Sequence, residues 1–189
     1  MGKRLSKIVT RTGDKGTTGM ADGSRLAKSN IRVHCLGEVD ELNAVIGLCA
    51  SSINHQVVND ILLHIQHDLF DLGAELCQPP KKLMLTEHVD QLSAKAEELN
   101  EALPALKEFI LPGGSVQLSH LHLARTVCRR VERYLVELND QEQVNSYSLM
   151  YLNRLSDLLF ILTRYLAKET STQESYWQSS YSRIQPDSK

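Results

Sequence analysis

The sequence predicts an all-α fold, a five-helix bundle preceded by an irregular N-terminal segment. Apolar residues recur at alternating spacings of three and four in five separate stretches, and proline, glycine or polar residues separate the stretches. Residues 1 to about 30 are rich in Gly, Thr, Lys, Arg and Asp and carry no such period. A length of 189 residues suffices for one sizeable core and is short for two. Residues 1–168 are therefore assigned to a single helical domain, with an ordered loop segment over about 8–30, and 169–189 to a flexible polar tail.

The first stripe is Val39, Leu42, Ile46, Cys49 and Ile53, which lie on one face of a helix. The second, Leu62, Ile65, Leu69, Leu72 and Leu76, stops at Pro79-Pro80, where a helix cannot continue. A shorter helix is expected from about Thr86 to Leu103, with Val89, Leu92, Ala96 and Leu99 turned inward. Pro104 and the run FILPGG at 109–114 break the period again. Ser115 is the expected N-cap of the fourth helix, because its hydroxyl can accept from a first-turn amide. Leu121, Ala124, Cys128, Val131 and Leu135 follow as its stripe. The fifth helix runs from about Gln143 to Lys168, with Leu152, Leu155, Leu159, Leu162 and Leu166 inward. Five such stripes joined by modest connections bury one another, which is what makes a bundle. The Ser-, Thr- and Gln-rich tail is expected to be mobile, with docking through Tyr176 and Trp177 as the alternative.

The chain is 42% hydrophobic and 23% charged, as a globular protein is and a disordered one is not. Its formal net charge of -2 gives no overall attraction for nucleic acid or anionic lipid, so neither is an expected partner. No apolar run is long enough to span a bilayer. The start, MGKRLSKIVTRTGD, is basic without an apolar stretch behind it and does not read as a secretory signal. Cys35, Cys49, Cys77 and Cys128 are far apart and form no CxxC pair, so they are expected to be reduced thiols packed among apolar neighbours. A cytoplasmic location follows from these features, with an organelle matrix not distinguished from it.

Four stretches carry groups suited to chemistry. The segment Thr10-Arg11-Thr12-Gly13-Asp14-Lys15-Gly16-Thr17-Thr18-Gly19 combines glycines, hydroxyls and two cations, which together can surround phosphate oxygens. It lacks the GxxxxGK[ST] order of a Walker loop, and composition alone equally allows a polar surface loop. On the first helix Asp40, Asn43 and Gly47 share a polar strip, either a solvated face or a place of close approach between Gly37 and Gly47. On the fourth, Arg125, Arg129 and Arg133 occupy successive turns of one face, with Arg130 and Glu132 between. Like charges so placed call for a bound polyanion or for interhelical pairing with Asp40 or Asp157. On the fifth, Asn153 and Asp157 stand one turn apart, Asn153 suited to a base, a phosphate or a hydrated magnesium and Asp157 to orienting an Arg, or else the two form a buried structural pair. His64, His67, Asp68 and Asp71 have metal-ligand spacing but lack paired Glu-x-x-His elements, and exposed i,i+4 pairs are expected instead. Phe109 opens the FILPGG turn and is either a rigid aromatic wall or a plug between helices three and four. No Ser–His–Asp or Cys–His order is present.

Taken together, TRTGDKGTT at 10–18, GEVDELNAVIG at 37–47, FILPGG at 109–114, ARTVCRRVER at 124–133 and YLNRLSDLLF at 151–160 resemble the PduO-type ATP:cob(I)alamin (corrinoid) adenosyltransferases over roughly residues 7–168. The resemblance implies a helical subunit assembled as a homotrimer with active sites at subunit interfaces. It implies ATP with Mg2+, the metal held mainly through ATP phosphates, and a cobalamin substrate adenosylated at cobalt. By the same resemblance Thr10, Arg11, Thr12, Gly13, Asp14, Lys15, Gly16 and Thr18 belong to a nucleotide-binding segment that wraps the triphosphate, joined by Lys28, Arg129, Glu132 and Asn153. Asp40 and Arg125 match a pair bridging subunits, and Phe109 an aromatic that lies against the lower corrin face and displaces the axial ligand. A reductase and a client B12-dependent enzyme are the further partners implied. Two rival classes, a nucleotide-sensing scaffold and a purely structural helical protein, would lack corrinoid-dependent turnover and magnesium–ATP binding respectively.

Overall fold

The computed structural model describes residues 8–179, so the basic start of the chain and the last residues of the tail lie outside the described residues. Five helices follow a short hairpin: α1 (Ile31–Ser52), α2 (Gln56–Cys77), α3 (Thr86–Glu101), α4 (Val116–Gln141) and α5 (Ser146–Glu169). Polar side chains start four of them, α2 through His55, whose Nδ1 accepts from the Val58 amide at 3.4 Å. Asn30 accepts from the Arg32 amide at 2.8 Å, Ser115 from Leu118 at 3.3 Å and Asn145 from Tyr147 at 3.2 Å. The Asn145 cap explains why α5 begins slightly later than Gln143. Among the described residues no helix is long and apolar enough to cross a membrane.

In space the helices run in the order α2, α1, α4, α5, α3, each packing against its neighbours in that order. Every residue of the five expected stripes is buried and joins one continuous core. Burying apolar surface at about 25 cal/mol per Å2 is what drives these amphipathic faces together. Tyr151, fully buried, contributes a polar end to the core by donating its hydroxyl to Asp68 at 2.9 Å. The Glu75 carboxylate ties three elements: it accepts from the Leu83 and Met84 amides, from the Asn145 side chain and from the Ser148 hydroxyl.

Two features go beyond the expected fold. The N-terminal segment contains an antiparallel hairpin, β1 (Thr17–Gly19) and β2 (Arg25–Ala27), with Thr18 opposite Leu26. The tail, expected as mobile from 169, is docked over its first part: Thr172 donates to the Ala167 carbonyl at 2.8 Å, and Tyr176 bridges Ile110. Docking occurs where Tyr176 and Trp177 stand, because the 109–111 backbone offers unpaired edge groups there.

Candidate active site

The hairpin holds the N-terminal loop from behind. Arg25 donates to the Thr12 carbonyl at 2.7 Å, to the Thr17 carbonyl at 3.2 Å and to the Thr17 hydroxyl at 2.8 Å, so one guanidinium closes the loop across its base. Gly16 donates to the Gly13 carbonyl at 3.1 Å and Lys28 to the Gly16 carbonyl at 2.9 Å, with Gly16 at φ +79°. A Cβ on Gly13 would stand 3.2 Å from the Lys28 ammonium and 3.3 Å from the Thr17 carbonyl oxygen. Glycine is what lets Lys28 lie across the loop. Thr10 and Thr12 share a hydroxyl contact at 3.0 Å, and Arg11, Asp14 and Lys15 are exposed beside them. Among the described residues Arg11, Lys15 and Lys28 form no ion pair, which leaves three cations and several hydroxyls for an anion.

A second cluster lies on α4 and α5. Arg129 and Arg133 are exposed, while Arg125 is half-buried with its Nε unpartnered. Burial, and after it the neighbouring Arg129 charge, lowers the proton affinity of Arg125 from its ordinary value. Exposed Asn153 donates to Glu132 at 3.0 Å, which links the two expected nucleotide-site residues across α4 and α5. The interhelical pairing foreseen for this arginine run falls on a different member: Arg130 reaches Glu38 at 2.5 Å and also Glu41 on α1. Asp40 is exposed, and among the described residues it forms no ion pair with Arg125 or any other cation. Asn43 turns inward instead, donating to the Gln66 carbonyl at 3.1 Å, and Gly47 gives room to the Gln66 side chain. The close approach expected there is by α2.

Phe109 is 75% exposed and is therefore not a plug between α3 and α4. It begins a turn made possible by Gly113 and Gly114, both at positive φ, and its ring meets Trp177 edge to face at 6.4 Å. The α2 histidines and aspartates do not converge on a metal. His64 contacts the Asp60 carbonyl, and Asp68, raised in pKa by burial, accepts from Tyr151. Of the four, His64 and Asp68 line a cleft of about 380 Å3 between α2 and α3.

Thus the structure joins Thr10–Thr18 to Lys28 and joins Glu132 to Asn153. Among the described residues it makes no hydrogen bond or ion pair between these two groups within one chain. Arg25, which closes the loop, is the residue of this cluster that the sequence did not single out; the Asp22-Gly23 turn signal between short extended stretches was its only trace.

The sequence profile of a family described as cobalamin adenosyltransferase matches residues 8–166. A cobalamin adenosyltransferase of Cupriavidus metallidurans is 52% identical over 179 residues, covering 94% of this chain and 97% of its own. A corrinoid adenosyltransferase of Bacillus subtilis is 44% identical, covering 84% and 85% respectively. A PduO-type ATP:corrinoid adenosyltransferase from Lactobacillus reuteri, solved as a phenylalanine-to-alanine variant complexed with cobalamin and ATP, superposes with a TM-score of 0.86 at 38% identity, covering 92% of this chain and 100% of that one. An arginine-to-lysine variant of the same enzyme, complexed with ATP, gives 0.85 at 39% identity over 90% and 100%. With the helical fold, the glycine-rich loop and the arginine face in place, these likenesses establish that the chain belongs to the cobalamin adenosyltransferase family.

Proposed function

We infer that the chain is an ATP:corrinoid adenosyltransferase, which moves the 5′-deoxyadenosyl group of ATP to the Co(I) of a reduced corrinoid and releases triphosphate. The observation that carries this reading is the Lys28 ammonium lying across Gly13 in a hydroxyl-lined loop whose cations have no other partner. In the step, the cobalt electron pair forms the Co–C bond while the C5′–O bond breaks and its pair leaves on triphosphate. Cobalt is oxidised by two electrons and no proton moves, so no general base is needed. The protein's tasks are alignment and neutralisation of the leaving polyanion.

Thr10, Arg11, Thr12, Gly13, Asp14, Lys15, Gly16, Thr18 and Lys28 are assigned to the triphosphate, with Arg129 as a further phosphate ligand. Glu132 accepts from Asn153, which leaves the Asn153 carbonyl oxygen available for the nucleotide in this reading. Phe109 is assigned to the corrinoid as an exposed wall. Magnesium would arrive on the phosphate oxygens of ATP, with the Asp14 carboxylate and threonine hydroxyls as the hard-oxygen donors at hand. Bound there, it would offset charge on the leaving triphosphate. Among the described residues no hydrogen bond or ion pair joins the two clusters, which fits the homotrimer proposed here, its loop and arginine face coming from adjacent subunits with Asp40 and Arg125 bridging them. The setting proposed is cytoplasmic, with a reductase supplying Co(I) and a B12-dependent enzyme as client.

An anaerobic assay with cob(I)alamin and magnesium–ATP, following adenosylcobalamin and triphosphate together, tests this. Equimolar formation of both is expected, and ATP turnover without corrinoid would reject it. Arg129→Ala should lower kcat/KM for ATP about ten- to hundredfold while leaving the melting temperature nearly unchanged, since an exposed phosphate ligand contributes to binding and not to packing.

A further inference from the structure

We propose that the Glu174–Trp177 strap positions the corrinoid wall, with Trp177 as the positioning residue that sets the Phe109 ring, an inference that rests on Phe109 facing the corrinoid as proposed above. The strap lies beyond the residues matched by the family profile, which end at 166. Residues 109–111 belong to no helix, and the glycines that follow them give the turn no stiffness of its own. Their backbone partners come from the strap. Leu111 donates to the Ser175 carbonyl at 2.8 Å, Trp177 donates to the Phe109 carbonyl at 2.7 Å, and Ile110 faces Tyr176 between these bonds. The Phe109 backbone is thereby fixed on one side, and the Trp177 ring meets its side chain at 74° between planes.

The strap is itself fastened. Ser171 at φ +51° turns the chain out of α5, and Thr172 bonds back to Ala167. Arg164, 6% exposed, donates to the Pro104 carbonyl at 2.9 Å and faces Glu174 at 3.6 Å. One buried guanidinium therefore holds the start of the α3–α4 connection and the strap in a common frame. An aromatic that must press on a ligand face loses less freedom on binding when its ring is already oriented.

The test uses the full chain with Phe109→Ala, Trp177→Ala and Trp177→Phe. Paramagnetic resonance of Co(II)alamin with magnesium–ATP reads the four-coordinate fraction, and steady-state assays give kcat and each KM. Trp177→Ala is expected to lower the four-coordinate fraction and kcat about two- to tenfold, the range of an aromatic pair, with KM for ATP unchanged. Trp177→Phe should restore most of both, and hydrogen exchange at the Leu111 amide should quicken in the alanine variant only. A damaging Phe109→Ala beside a silent Trp177→Ala overturns the proposal alone. A silent Phe109→Ala overturns the corrinoid-wall assignment and the proposal with it. Equal loss of ATP affinity in Trp177→Ala would reassign the strap to general stability and also overturn it.

Discussion

His122 lies on α4 one turn before Arg125, with its Nδ1 buried and unpartnered and its ring tilted against Phe160. Burial first, and the Arg125 charge second, lower its pKa from the ordinary 6.5. Because the folded value is the lower one, the unfolded chain takes up the proton first as pH falls. The stability contribution is whole above 6.5 and is lost as pH drops through the folded value. The melting temperature of the parent should therefore fall more steeply from about pH 7 to about pH 5 than that of His122→Leu. Parallel slopes would remove His122 from the acid-sensitive groups. Its neighbour His120 points elsewhere, to the Ser52 hydroxyl at 3.0 Å, as the divergence of alternate helical residues predicts. The packed thiols were also legible: burial pushes Cys35 up to about 11 and Cys49 up to about 12. Which arginine of the α4 run would be neutralised was not legible, since that depends on where α1 lies, and only Arg130 meets Glu38.

At the scale of elements, the helices were readable because an apolar residue every third or fourth position leaves few other ways to bury surface. The hairpin was not, because strands of three residues are too short to show alternation. Glu75 was also hidden. It stands beside Leu76 at the end of α2, and the donors that justify its burial come from residues 83–84 and from the start of α5. Glu75→Leu should cost about 3 kcal/mol or more, because two amides, an amide side chain and a hydroxyl lose their acceptor in the interior. Urea unfolding would measure it. A change below about 0.5 kcal/mol would mean that these donors find water or other partners.

For the whole molecule, the five motif segments identified the family although they lie far apart in sequence, and the family profile over residues 8–166 spans all five. A single sequence says less about symmetry. Among the described residues Asp40 and Arg125 form no ion pair, and nothing in their spacing states whether a second copy supplies one. If Asp40 and Arg125 bridge subunits as proposed, Asp40→Arg should lower activity about tenfold or more and weaken assembly, since two cations would then face one another. Combining it with Arg125→Asp should recover part of both, as sedimentation and turnover would show. An additive double variant would separate the two residues.

The docked strap has an optical consequence. The chain contains one tryptophan, and that indole stands edge-on to Phe109. All indole fluorescence of the folded protein therefore originates at one address per subunit, beside the surface assigned to a strongly coloured substrate. Corrinoids absorb where indoles emit, so on that assignment arrival of the substrate is expected to dim the emission. The molecule carries its own light gauge, without a dye or an added label.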